Sequence, residues 1–280
     1  MWSQSLKQLS FVTDTPEEHK LISDTEKAFI IESRMKQAKK RQTMPPITNF
    51  FTSLPLAACW VAHTSHLYVV YCSILLFPKY LRDVQGFNIK QIGDLAALPQ
   101  VLTVFVIFGG SYLADKLSSH GFKLILIRRV INFCGSVIPA LVLGGFYFVE
   151  CNIVGAMAIM ITVQTLAGLQ HSSSKVVYLF YLHAVIYFET NMNDVVPPYA
   201  AVGMSIGNFF ASMMGFVAPT VGGVLLKTYG NSVSTWMTVW LICGVVMLSG
   251  GLFYTFCSSA DPLPWTIDDD EEDDEKRALK

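Results

Sequence analysis

Apolar residues in this chain fall into long runs separated by short polar connectors. Six runs are long enough, or nearly so, for helices that cross a bilayer: 50–77, 95–114, 130–149, 153–169, 200–226 and 237–257. Roughly 20 mostly apolar residues are needed, because about 30 Å of hydrocarbon is covered at about 1.5 Å per residue. Glycine and proline recur inside the runs, at Pro99, Gly109, Gly110, Pro139, Gly203, Gly207 and Pro219 among others. Water would make them helix breakers. In lipid, neighbouring helices satisfy the freed backbone groups and small residues permit close packing. The pattern predicts an all-α membrane protein with six transmembrane helices.

Around this domain (49–257) the sequence places a polar, cytosolic loop-like segment (1–48) and an acidic cytosolic tail (258–280). The polar start lacks the basic and apolar regions of a cleavable signal peptide. Ser23 and Glu26 have capping-box spacing, which predicts a short helix running towards Ser33. One run does not fit. Residues 176–188 are too few to span and too apolar for a loop, and they carry His183 in their middle.

Composition agrees with the pattern. Charged residues are 15% of the chain and mean hydropathy is +0.44, whereas soluble domains carry about 25% charged residues. Net charge is −1, so no basic field recommends nucleic acid as a partner. The six cysteines have neither paired zinc spacing nor a dense disulfide framework and read as small buried hydrophobes. Lys and Arg set the orientation. The second loop holds Lys116, Lys123, Arg128 and Arg129 and the third none, while most remaining cations lie in the two end segments. By the positive-inside rule both termini of this multi-pass protein are cytosolic.

Five stretches carry a family resemblance. Pro16-Glu17-Glu18-His19 continues through Ser23, Glu26, Ile30 and Ser33; Gly86-Phe87-Asn88 leads to Leu98-Pro99; Gly109-Gly110-Ser111 ends in Ala114-Asp115, with Arg128-Arg129 opening the next helix; Asn191-Met192-Asn193-Asp194 precedes Pro197-Pro198-Tyr199-Ala200; Trp236 is followed after the last span by Pro264-Trp265. As an ordered set they resemble the anion:cation symporter family of the major facilitator superfamily, which includes sodium/phosphate cotransporter, sialin and vesicular glutamate transporter types. The resemblance covers about residues 16–265. It implies the C-terminal half, helices 7 to 12, of a twelve-helix major facilitator fold, in which substrate binds between two six-helix halves near the midplane. Deleting the segment near 175–187 would rejoin the family pattern, so it reads as an insertion.

The resemblance implies secondary transport of an organic or inorganic anion with Na⁺ or H⁺ as coupling ion and no other cofactor. The implied partners are the lipid bilayer, a small anionic substrate, and a missing N-terminal half or a second copy of the chain. Lysosomal, vesicular and plasma-membrane members read alike at this level. The alternative is a non-transporting chain that binds or regulates a full-length relative, or an inactive product.

His63 and His66, three apart on the first span, share a face with Cys59 and Ser73 near it; Thr64, Tyr68 and Tyr71 form an adjoining strip. Ionisable side chains at membrane depth by default face a cavity or a partner, and imidazole titrates near neutral pH. His63, His66, Tyr68 and Tyr71 are therefore the substrate-path candidates. In the resemblance His66 stands where vesicular glutamate transporters have an arginine, and losing a fixed bidentate cation disfavours a dicarboxylate. Asp115, Lys116, Arg128 and Arg129 read as a cytosolic-face charge cluster that latches a conformation. Asn191 and Asp194 are family-motif residues expected to cap the next helix. No catalytic motif or metal-ligand set is present, and the acidic run 268–275 lacks the glycine and spacing of a calcium loop. The expectation is a non-enzyme.

Overall fold

The computed structural model describes residues 22–40, 46–149, 152–171 and 186–266. The proposed insertion lies almost wholly outside the described residues, as do the acidic run, Cys151 and the first 21 residues. The chain divides into two compact units, Met1–Pro46 and Ile47–Lys280.

In the first unit, helix α1 (Asp24–Lys40) starts where the capping spacing placed it, and the Glu26 amide donates to Ser23 Oγ at 3.2 Å. It runs further than Ser33, because nothing between Ser33 and Lys40 breaks a helix.

Every regular element among the described residues of the second unit is a helix. A short α2 (Ile47–Thr52) precedes α3 (Leu54–Asp83), α4 (Ile89–Ser119), a third span made of α5 (Leu124–Asn132), a π-turn (Phe133–Val137), α6 (Ile138–Gly144) and α7 (Phe146–Val149), then α8 (Ile153–Ala167), α9 (Ile186–Val195), α10 (Ala200–Tyr229) and α11 (Val233–Cys257). Six of the resulting segments are long and apolar enough to cross a membrane: Leu54–Asp83, Ile89–Ser119, Leu124–Val149, Ile153–Gln170, Pro197–Tyr229 and Val233–Cys257. Most are longer than the apolar runs because polar caps lie beyond the hydrocarbon. Asn88 and Gln91 form a reciprocal capping box at 3.0 and 3.1 Å, starting α4 six residues before its apolar run. Gly230, at φ 81°, closes α10 in a conformation that suits glycine.

Helix α3 is the hub, packed most extensively on α10 and α11; α11 continues onto the third span, which packs on α8, and α8 on α4. Close approach depends on glycine. A Cβ on Gly250 of α11 would strike Ser65 of α3, and one on Gly251 would strike Ser136 in the π-turn. Helices α4 and α10 bury little of their surface and display Phe105, Phe108, Phe209 and Phe216.

Two cores sit at opposite ends of the bundle. One gathers Phe77, Tyr80, Phe146, Trp236 and Trp240, with Tyr80 and Trp236 rings 5.5 Å apart and Phe146 stacked on Trp240 at 5.5 Å. The other holds Phe50, Leu56, Trp60, Met192 and Tyr254. Along α3 the second core ends at Ala62 and the first begins at Tyr68. Both candidate histidines stand in that gap.

Candidate functional site: a histidine-lined cavity at mid-bundle

A cavity of about 290 Å³ opens between α3, α4 and α8. From α3 it is lined by His66, Val69, Val70, Ser73 and Ile74; α4 contributes Gln100, Thr103, Val104 and Ile107, and α8 contributes Val163, Gln164 and Ala167. His66 is 3% exposed and is the single ionisable side chain in the cavity lining among the described residues. Ser73, two turns along the same face, is buried as well.

The α4–α8 wall is held by polar groups within the apolar run. Gln100 Nε2 donates to Gln164 Oε1 at 3.2 Å, and the Thr103 hydroxyl reaches the Pro99 and Gln164 carbonyls at 2.8 and 3.1 Å. Gly168 makes this possible, since a Cβ there would meet the Thr103 methyl at 2.6 Å. A second cavity, about 500 Å³, lies between α3, α10 and α11 around Trp60, Thr64 and Met214, with no ionisable residue in its lining among the described residues. The smaller cavity is the better solute site, being mostly apolar with a few convergent polar groups and one titratable group.

The histidines separate. A spacing of three residues leaves side chains about 60° apart around the helix, enough here to give them different neighbours. His63 Nε2 donates to Asn208 Oδ1 of α10 at 3.0 Å, while His66 lines the cavity beside α4 and α8. Tyr71 also faces α10, its ring against Gly215, and Tyr68 is buried in the first core. Of the four path candidates, His66 alone lines the smaller cavity. Gln100, Thr103 and Gln164 were missed by sequence reasoning. Their signal was available: polar side chains inside two spans.

The charged cluster also resolves into specific pairs. Arg128, fully buried on α5, donates through Nη2 to Asp194 Oδ2 at 2.9 Å, and Arg129 donates to the Ser258 carbonyl at 2.9 Å. Asp115 is half-buried at the end of α4 and Lys116 is exposed. Asn191 and Asp194 do not cap the next helix. Asn191 Nδ2 donates to Cys59 Sγ at 2.8 Å, Asp194 holds Arg128, and Tyr199 precedes α10 without a side-chain cap. Both belong to α9, which ends before the 3₁₀ turn at Pro197–Tyr199. Cys59, Cys72, Cys134, Cys243 and Cys257 are free thiols. Among the described residues no cluster of His, Cys, Asp and Glu is suited to a metal ion.

No protein-family model matches the chain. Sialin of Ovis aries is 30% identical over 262 residues, 93% of this chain and 50% of the relative. Vesicular glutamate transporter 2 of Homo sapiens is 29% identical over 277 residues, 94% of this chain and 43% of the relative. Sodium-dependent phosphate transport protein 4 of Homo sapiens is 28% identical over 255 residues, 91% and 57% respectively. The chain is a homologue of these transporters. It spans about half the length of the curated relatives it matches. This homology and the six apolar helices make it a multi-pass, all-α membrane protein. The named relatives are transporters and not enzymes.

Proposed function

We propose that the chain builds one six-helix half of a secondary carrier for small anions, driven by Na⁺ or H⁺, with the His66 cavity on the solute's path. The observation that carries this reading is a buried imidazole lining a cavity midway along a spanning helix, between two apolar cores, in a homologue of anion carriers. A protonated His66 would attract an anion, and its return to neutrality would release it, which fits H⁺ coupling without a metal. The positive-inside distribution supports cytosolic termini. A second six-helix unit, either an N-terminal half or another copy, completes the vestibule by rocking against this one.

The chain is reconstituted in proteoliposomes under inward H⁺ or Na⁺ gradients, and uptake of labelled phosphate, propionate and gluconate is followed. Gradient-driven accumulation that falls at least tenfold in His66→Gln supports the reading. Accumulation unchanged at every pH in His66→Gln overturns the His66 path, and no accumulation of any of the three overturns transport by paired copies of this chain. The half-length match supports a second reading, a non-transporting chain that pairs with a longer relative; co-purification with that relative, together with no uptake, would favour it.

A further inference from the structure

The larger cavity lies on the other side of α3 from His66. Thr64 lines it and His66 lines the smaller one, and side chains two residues apart point about 160° away from each other around a helix. Helices α10 and α11 each pack mainly on α3 and touch each other little, which leaves a slot between them floored by α3. Phe51, Val61 and Phe210 in its lining are 58%, 42% and 40% exposed, so the slot opens sideways, along spans whose surroundings are hydrocarbon.

The polar groups of the lining ask little of an occupant. Trp60 Nε1 donates to the Gly203 carbonyl at 2.9 Å, Ser65 Oγ to the Ala62 carbonyl at 2.9 Å and Ser249 Oγ to the Val246 carbonyl at 2.8 Å. Among the described residues of the lining, only the half-buried Thr64 keeps an unspent hydroxyl. The rest is ring, methyl and thioether surface from Phe51, Val61, Phe210, Met214 and Val246. Left empty, such a surface forfeits its dispersion contacts, and water finds too few polar partners there to replace them.

Size selects the occupant. On α3 the lining runs from Ala57 to Ser65, about 12 Å along the axis, and Phe51 extends it to about 15–20 Å, the depth of one leaflet's hydrocarbon. A volume of about 500 Å³ over that length gives a section of about 25–35 Å². A helix about 10 Å across would need about 80 Å². One extended hydrocarbon chain, with neighbouring atoms at about 4 Å, needs roughly 20 Å². The wall also changes direction at Ser53, the extended residue between α2 and α3, which a jointed chain follows and a rigid fused-ring sterol does not. We propose that the slot is a lipid site holding one acyl chain of a bilayer phospholipid, its ester end near Phe51 and its terminal carbons beside Ser65 and Ser249.

Phosphatidylcholine carrying a photoactivatable diazirine at the tip of one acyl chain is titrated into the full chain in detergent micelles, and labelled residues are mapped by mass spectrometry. Label on Thr64, Ser65 and Ser249 should saturate at a lipid-to-detergent ratio at least tenfold below that needed to label the exposed Phe105 and Phe216. Excess unlabelled phosphatidylcholine should suppress it. A diazirine near the ester should move the label to Phe51 and Ala57. Thr64→Phe, which fills the slot, should cut label on Ser249 at least fivefold and leave Phe105 unchanged. Label on Ser249 that is absent, or that rises in proportion to Phe105 without saturating, overturns the site. Suppression by cholesterol or free palmitate but not by phosphatidylcholine overturns the phospholipid chain as its occupant. The wild-type titration needs no variant to fold, and it is independent of uptake through the His66 cavity.

Discussion

Arg128 Nη2 and Asp194 Oδ2 meet at 2.9 Å across 66 positions of sequence, tying the start of the third span to the helix that precedes the fifth. The arginine side chain is 2% exposed and the carboxylate 21%. Removing one partner of such a pair leaves a buried charge less well compensated, whereas replacing both by apolar groups is often close to neutral.

Asp194→Ala should therefore lower stability by about 3 kcal/mol or more, and Arg128→Met with Asp194→Leu should recover most of that. Unfolding of the detergent-solubilised chain measures both. A double variant less stable than Asp194→Ala would show that the pair itself contributes net stability.

Gly250 allows α11 to lie against Ser65 of α3. Gly250→Ala should push the two helices apart at about 1–3 kcal/mol. Ser65→Gly in the same chain should restore much of the loss, because the atoms a Cβ would strike belong to Ser65. Gly223→Ala, with nothing within 4 Å of the new Cβ, serves as the control and should be neutral or slightly stabilising. Thermal unfolding of the four chains reads the order directly.

Asn132 is fully buried where α5 meets the π-turn. Its Nδ2 donates to the Gly251 carbonyl at 3.0 Å, and Gln170 Nε2 donates to its Oδ1 at 3.3 Å. Asn132→Leu takes the partner from the buried Gln170 amide, while the Gly251 carbonyl still accepts from the Thr255 hydroxyl at 2.8 Å, and should cost about 1–2 kcal/mol. Unfolding by denaturing detergent would register it, and an unchanged midpoint would mean that Gln170 finds another partner.

Trp265 lies 5.2 Å from the Phe50 ring and stacks on Tyr199 at 6.0 Å; beside it the Leu263 amide donates to the Val195 carbonyl at 2.9 Å. These contacts tie the segment after α11 to the α9–α10 junction. Trp265→Ala should cost about 1–3 kcal/mol, from two aromatic contacts and the apolar area they cover. It should also speed hydrogen exchange at the Leu263 amide more than at amides in the middle of α11.

The six spans were legible because lipid imposes a length and a polarity on each of them independently of its neighbours. Apolar runs such as 237–257 were found without any partner being known, and the true helix ends were partly readable from caps such as Asn88 with Gln91. The sequence alone also placed two histidines midway along the first span. It contained no information on what stands beside each one. Side chains only about 60° apart on one helix came to face different neighbours, His63 meeting Asn208 and His66 facing Gln100 and Gln164, once α10, α4 and α8 had packed around α3. The partners of Arg128 and Asn191 were equally hidden, because each lies on a separate element brought close only by packing. Burial of a single helix depends on its own composition and the solvent around it; a cavity or an ion pair depends on the positions of several helices at once, and only the tertiary structure holds them.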